Sequence, residues 1–413
     1  MSNSLKVGIV GAGFIARFQL AAMKLVRGLE VAGISSLAHA EELARRAKDL
    51  AVGDPRVYST VSEMVKNVEC VAIFSPNFSR ISVLEEIVAA VKAGARLKGV
   101  ICEKPLGRTI AEARRMVDLA ASANLRTAYF ENQLFMKAVR AQMTQLEPVH
   151  RTMGPMSLTR CAEEHGGPHE AWFWDPTRQG GGVLSDMGCH SIAVGWYLLN
   201  PIGKGLTFLQ PQSVTAEVAL LKWGQPYWRD KLLRSHGVDY AKTPAEDFAT
   251  GLVTFKNPET GQKVKAQFTN SWMFEKQGLR IFIDGMGPGY AFEFNTLVSP
   301  LNIFIGDMAA ESVKNAEVAL EKSQATRGLL PVHPNEADLY GYPDENEDAL
   351  DAFSAGRDGM LPWSYGLEIT KLITAAYMAA ETRKTVDLTD SHTLKELETY
   401  IPLIQQGRGG EVL

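Results

Sequence analysis

The sequence is sparing with cysteine, with four residues in 413: Cys70, Cys102, Cys161 and Cys189. They are widely scattered and make no CxxC pair, so buried free thiols are the better reading, most clearly for Cys70 and Cys102 in their apolar, strand-like runs. An excess of basic charge is missing too. Lys and Arg number 43 against 47 Asp and Glu, and a net charge of −4 gives no reason to expect nucleic acid or an anionic membrane as a partner. No apolar run approaches a membrane span, and the chain enters its first strand so early that no signal peptide is expected. These absences point to the cytoplasm. Internal repeats and low-complexity tracts are also lacking. What remains is an ordinary apolar share, 46 %, enough for a sizeable core, in a chain long enough that two domains are the default.

The stretch around which the rest is organised is Lys6 to Ala16, KVGIVGAGFIA. Val7, Ile9 and Val10 read as a buried strand that breaks into a glycine turn. Gly11, Gly13 and Ala16 fill the three small positions of a dinucleotide fingerprint, with Ala as an allowed third member. Gly11 permits the sharp turn, Gly13 lets backbone approach a pyrophosphate, and Ala16 lets the helix pack near the strand. Phe14, Phe18, Ala22 and Leu25 follow at helical spacing, with Gly28 as the stop. Such a helix aims its first N–H groups and its dipole at phosphates.

Strands and helices then alternate. Leu29 to Ile34 is a second strand, followed by Ser35 and Ser36 where an NAD-preferring fold usually has a carboxylate for the ribose hydroxyls. No Arg adjoins to attract a 2′-phosphate, so NAD and NADP both stay open. Glu69 to Ser75, Gly99 to Lys104 and Leu125 to Glu131 read as further strands, with a capping box at Thr109 and Glu112 opening the helix between the last two. This alternation specifies a doubly wound parallel sheet, complete by about residue 130. From Met156 the pattern changes. Ser213 to Trp223, Phe248 to Lys256, Val264 to Phe274, Leu279 to Ile283 and Tyr290 to Phe294 are strand-like runs separated by turn signals such as Asn257-Pro258 and Asp284-Gly285. They predict a large, mostly antiparallel sheet in a second, α+β domain over 131–413. Lys222 to Glu246 is a long polar excursion carrying Trp223, Tyr227 and Trp228, either a functional or oligomeric loop or a cover for the sheet. Leu367 to Thr382 reads as the last, amphipathic helix.

Three stretches carry candidate chemistry. Glu103-Lys104-Pro105 closes a parallel strand at its carboxyl end, where open α/β sheets bind ligands, and Pro105 keeps Lys104 extended. Near a cationic ring a lysine there has its ammonium form disfavoured and exchanges protons; the bland alternative is a solvated surface lysine. Gly180 to Tyr197 opens with three glycines and then turns helical, placing Asp186 and His190 four apart on one face among apolar neighbours. An Asp beside a His suits an acid/base imidazole, or else a purely structural pair. His165 and His169 flank Gly166-Gly167-Pro168 in a loop with Glu163, Glu164, Trp172 and Trp174. Glycines and Pro168 argue against the helical spacing a metal needs, so no metal is expected and a sugar-binding loop is the better reading.

Gly11-Ala12-Gly13 through Ala16, Ser75-Pro76-Asn77, Glu103-Lys104-Pro105 and Gly180 to His190, in that order, resemble the motifs of the Gfo/Idh/MocA oxidoreductases, from Val7 to about Leu388. The resemblance implies an N-terminal Rossmann domain, a C-terminal domain on an open antiparallel sheet used for dimers or tetramers, and NAD or NADP between them. It implies Gly11, Gly13, Phe14, Ile15, Ser35, Ser36, Ser75, Pro76, Asn77, Glu103, Lys104 and Asn132 as cofactor contacts. Lys104, Asp186 and His190 fall on the family's catalytic positions, and these three with His165 and Trp174 face a carbohydrate or polyol substrate. The implied activity is dehydrogenation of a sugar, polyol or sugar-derived acid. A redox-neutral NAD-dependent glycosidase or lyase is the runner-up and a nicotinamide-sensing regulator the third reading. There are departures: Ala193 stands where many members have Asp, Arg80 where some have His, and Phe130-Glu131-Asn132-Gln133 replaces an aromatic-x-x-Arg pattern.

Overall fold

The structure, a computed structural model, describes residues 4–275, 278–298, 301–305, 328–332 and 335–413, with only the backbone described over 301–305 and 328–332. The chain divides into two compact units, 1–137 with 337–370, and 138–336 with 371–413.

In the first unit the β-branched run condenses as β1 (Leu5–Val10), central in a parallel six-stranded sheet. Its neighbours are β2 (Leu29–Ser35), β3 (Arg56–Val57), β4 (Cys70–Ile73), β5 (Gly99–Glu103) and β6 (Arg126–Phe130), in the order β3-β2-β1-β4-β5-β6. The order reverses between β1 and β4, the place where doubly wound sheets open a crevice at their carboxyl ends. Helices connect the strands, among them α1 (Phe14–Met23) after β1 and Ile110–Ser122 after β5. The latter starts as its capping residues dictate: the Thr109 hydroxyl accepts from the Glu112 N–H at 3.1 Å, while the Glu112 carboxylate returns to the Arg108 N–H at 2.9 Å, one residue before the cap.

The sequence expectation gave everything after residue 130 to the second domain, and the structure redraws that boundary. The helix Tyr342–Ser354 brings Ala349, Leu350 and Phe353 into one core with Val7, Ile9, Val31 and Ile34. Burial of these side chains is what returns the segment to the first unit. The chain beyond it then covers the outer edge of β6, where the Thr127 N–H donates to Asp358 at 2.7 Å and the Tyr129 N–H to Leu361 at 2.7 Å. An edge so covered is closed to further strands.

The second unit carries a seven-stranded sheet in the order β12-β11-β7-β10-β9-β8-β15. Its strands are β7 (Leu158–Glu164), β8 (Gln210–Ala219), β9 (Phe248–Lys256), β10 (Lys263–Ser271), β11 (Arg280–Gly287), β12 (Tyr290–Asn295) and β15 (Val386–Asp387); β13 (Leu301–Ile305) and β14 (Gly328–Val332) form a separate antiparallel pair. The sheet is mostly antiparallel, with β7 and β10 parallel. Strand β7 was not among the expected ones. Its buried positions are Thr159, Cys161 and Glu163, so a polar inner face hides the period-two pattern. Asp284-Gly285 proves to be strand and not turn. Gly285 pairs with Phe292 across β11–β12, where an added Cβ would sit 2.0 Å from that ring. The helix Trp363–Thr382 is longer than the sequence pattern predicts and is followed by another, Ser391–Thr399.

All four cysteines are buried free thiols, and burial pushes Cys102 up to about 11. Among the described residues no helix is long and apolar enough to cross a membrane.

Candidate functional site

In the first unit the expected phosphate turn has an asymmetric design. Gly11 sits at φ +99°, and a Cβ there would lie 2.8 Å from the Ser75 N and 2.9 Å from the Phe74 carbonyl carbon. It is glycine because the chain leaving β4, at Phe74 and Ser75, passes beside it. Gly13 has an extended backbone any residue adopts, and nothing lies within 4 Å of an added Cβ. Gly13 is the N-cap of α1 and has no side chain with which to cap it, and the first turn, beginning with Phe14 and Ile15, holds no acid. A helix start with a glycine N-cap and no acid in its first turn suits a pyrophosphate. Ser35 is buried with its carbonyl taken by the Gly11 N–H at 3.0 Å, and Ser36 is half-buried beside it.

The loops after β4 and β5 are held by a residue that sequence reasoning noted only as a departure. Arg80 is buried, and its guanidinium donates to four carbonyls: Ser75 at 3.3 Å, Glu103 at 2.6 Å, Lys104 at 3.1 Å, and Pro105. One planar donor fork thus fixes Ser75-Pro76-Asn77 against Glu103-Lys104-Pro105. Lys104 is half-buried, and the Lys104–Pro105 peptide is cis. The Glu103 carboxylate turns inward, accepting from the Gln19 amide at 2.9 Å; that same nitrogen donates to Glu345 at 2.9 Å. Burial raises the Glu103 carboxyl above its ordinary value, while the Gln19 hydrogen bond and the Lys104 and Arg80 charges pull it back. Asn132 gives its amide to the Tyr340 carbonyl at 2.8 Å.

In the second unit, β7 faces the helix Cys189–Leu199 and the π-helical turn Leu184–Gly188 that leads into it. The helix comes close to the sheet at Gly195, where a Cβ would be 3.0 Å from the Ala266 side chain and 3.1 Å from the Thr159 hydroxyl. Glu163 and His165, two apart at the end of β7, and Asp186 and His190, on the helix, meet in two crossed pairs. His190 Nε2 lies 3.8 Å from Glu163 Oε2, and His165 Nε2 lies 3.9 Å from Asp186 Oδ2. Each pair joins an imidazole to a carboxylate across the strand–helix interface. The expected loop placement of Glu163 and Glu164 is corrected, since both belong to β7. Glu163 was missed as a partner for His190 because the two are linked only through the fold.

His165 has a fixed tautomer. Its Nδ1 accepts from the Gly167 N–H at 3.0 Å, so the ring's own proton sits on Nε2, toward Asp186. Asp186 also accepts from the Trp272 indole at 3.3 Å. Trp174 is enclosed by Trp223, Tyr240 and Trp272, with its indole N–H given to the Pro168 carbonyl at 3.1 Å. It supports the site from behind.

The excursion 222–246 contains a helix, Pro226–His236, and covers this corner of the sheet. Asp247 anchors it by accepting three consecutive N–H groups, from Leu221, Lys222 and Trp223, at 2.7, 2.8 and 2.7 Å. The buried Lys222 ammonium lies 4.5 Å from the Trp223 ring centre and 4.2 Å from that of Trp228, and pairs with Glu275. Burial draws it below its usual value.

Comparison with known proteins bears on the family and the fold. Residues 5–130 match the oxidoreductase, NAD-binding Rossmann-fold domain of Gfo/Idh/MocA proteins, and residues 151–287 match their C-terminal domain. The chain belongs to the Gfo/Idh/MocA oxidoreductase family. Among its relatives, the D-glucoside 3-dehydrogenase of Escherichia coli is 28 % identical over 264 residues, 62 % of this chain and 68 % of that one. The glucose-6-phosphate 3-dehydrogenase of Bacillus subtilis is 25 % identical over 47 % of this chain and 53 % of its own length, and the myo-inositol 2-dehydrogenase of Thermotoga maritima 24 % over 47 % and 55 %. Beyond the first, the chain thus spans little more than half of the relatives it matches. A solved structure of GenD2 from gentamicin A biosynthesis, in complex with NAD, superposes with a TM-score of 0.72 at 19 % identity, covering 94 % of this chain and 97 % of that one. A putative myo-inositol dehydrogenase from Sinorhizobium meliloti gives 0.65 at 18 %, over 93 % and 100 %. At these identities the structures speak for the fold.

Proposed function

We propose that the protein is a nicotinamide-dependent dehydrogenase acting on a secondary carbinol of a sugar, a polyol or a sugar-derived acid. The observation that carries this reading is the crossed set of imidazole–carboxylate contacts, His190 with Glu163 and His165 with Asp186, in a chain whose first unit begins with an open glycine turn. Gly11, Gly13, Phe14 and Ile15 receive the pyrophosphate, and the loops at Ser35–Ser36, Ser75–Asn77 and Glu103–Lys104 complete the cofactor's seat. No Arg follows Ser36 to attract a 2′-phosphate, which favours NAD over NADP. When bound, the nicotinamide supplies the acceptor for the hydride leaving the carbinol carbon. His190 takes the hydroxyl proton, because an imidazole's ordinary titration lies near neutrality and Glu163 steadies the charged ring. Lys104 holds and polarises the hydroxyl oxygen. Losing the proton as the hydride departs avoids a free alkoxide. The names of the relatives, a glucoside dehydrogenase and inositol dehydrogenases among them, support a carbinol substrate.

The test is a panel of glucosides, inositols and sugar acids offered to the purified protein with NAD and with NADP. Reduced cofactor formed in proportion to product is the expected result. Release of aglycone from chromogenic glycosides with no net reduced cofactor would overturn it.

A further inference from the structure

The helix that carries Asp186 and His190 begins inside the protein, and a buried helix start must find acceptors for about four N–H groups that lack intrahelical partners. Here each of the four is accounted for. The Gly182 N–H donates to both carboxylate oxygens of Glu246, at 3.0 and 3.1 Å, and the Leu184 N–H to one of them at 3.0 Å. The Val183 N–H donates to the Glu246 carbonyl at 3.1 Å, and the Ser185 N–H to the Tyr377 hydroxyl at 3.2 Å. Tyr377 in turn donates its O–H to Glu246 at 2.6 Å. Glu246 and Tyr377 are fully buried. Two of the three glycines at 180–182 are explained by this clasp. A Cβ on Gly181 would lie 2.0 Å from the Tyr377 hydroxyl, and one on Gly182 would lie 2.2 Å from the Glu246 carbonyl.

From this geometry we infer that Glu246, with Tyr377, is a positioning residue for the reaction: it sets where the turn Leu184–Gly188 starts and thereby where Asp186 and His190 stand against β7. Asp186 is two residues beyond the last N–H that Glu246 holds, and the Asp186 N–H already bonds the Gly182 carbonyl at 3.1 Å, so a shift of the clasp reaches it through one covalent turn. The neighbouring Asp247 pins the excursion from the next position of the chain. The role rests on the dehydrogenase reading for its kinetics, but its geometry does not.

The experiment uses the full chain with Glu246→Gln and Tyr377→Phe, histidines labelled at the ring carbon, and His190→Gln to assign the His190 signal. Glutamine keeps an oxygen for Leu184 and Tyr377 but turns a donor toward the Gly182 N–H, while phenylalanine leaves the Ser185 N–H without its acceptor. A misplacement of about an ångström costs on the order of 10²-fold in rate. The expected result is a fall in kcat of ~10- to 100-fold in either variant with KM and dinucleotide affinity little changed, together with a displaced His190 signal. A folded variant with wild-type kcat and an unmoved His190 signal overturns the inference. If Glu246→Gln does not fold, Tyr377→Phe decides. If the wild type turns over nothing in the sugar panel, the dehydrogenase reading fails by itself, and the His190 signal still decides this one.

Discussion

The turns Gly11–Gly13 in the first unit and Gly180–Gly182 in the second each lead into a helix, and the structure puts them to opposite uses. At the first, the N-cap is a glycine, and among the described residues a Cβ on Gly13 would meet nothing within 4 Å. At the second, Glu246 and Tyr377 consume the N–H groups of residues 182–185. Glycine followed by a helix is therefore not by itself a ligand signal. What separates the two is the space at the glycine that begins the helix: it is clear of described atoms at Gly13 and filled by Glu246 at Gly182.

That contrast is broken most severely by giving the closed turn a side chain. Gly182→Ala places a methyl 2.2 Å from the Glu246 carbonyl, where backbone has to move. Overpacking of this kind costs about 3 kcal/mol, so thermal melting of the variant should drop sharply. A melting temperature equal to wild type would show that the clasp has slack.

Next in size is the chemistry that the closed turn supports. General acid/base groups contribute ~10²–10⁴-fold, so His190→Ala should lose kcat on that scale while dinucleotide titration of the first unit stays intact. Near wild-type turnover in that variant would make the His190–Glu163 contact structural and leave the proton to Lys104.

A smaller effect comes from pH. Burial pushes the Glu246 carboxyl up from 4.5 to about 7, against the pull of its hydrogen bonds to Tyr377, Leu184 and Gly182. A raised carboxyl binds its proton more tightly in the folded state, so its contribution is complete below about pH 4.5 and is lost as pH rises through about 7. Melting of the wild type should therefore fall between pH 5 and pH 8 more steeply than that of Glu246→Gln, and parallel curves would contradict the assignment.

The sequence made some of this readable and concealed the rest for identifiable reasons. The β1 turn, the alternation to residue 130 and the Thr109 cap are local, each written in residues a few positions apart. Strand β7 escaped notice because Thr159, Cys161 and Glu163 face inward, so no apolar alternation marks it. The helix Tyr342–Ser354 is amphipathic like many others, and nothing in it announces that its apolar side completes a core begun at Val7. Among candidate site residues, the spacing puts Asp186 and His190 near one another and suggests that they pair, but the contacts found are His190 with Glu163 and Asp186 with His165, and neither these nor Glu246 can be read from spacing. Glu246 and Tyr377 stand 131 positions apart, and each was read as part of something else: the end of a polar excursion and the side of a helix. Arg80 was visible only as a departure, since its four carbonyl partners come from two loops that the fold alone brings together.

The central claim, that the first turn is open because it takes a dinucleotide, is tested most directly by dinucleotide titration of Gly13→Val alongside its thermal melting. The extended backbone at Gly13 and the empty surroundings of its Cβ predict a variant that folds and melts like wild type. The same side chain would fill the approach to the helix start, so affinity for NAD and NADP should disappear. Wild-type affinity in a properly folded Gly13→Val protein would contradict the account.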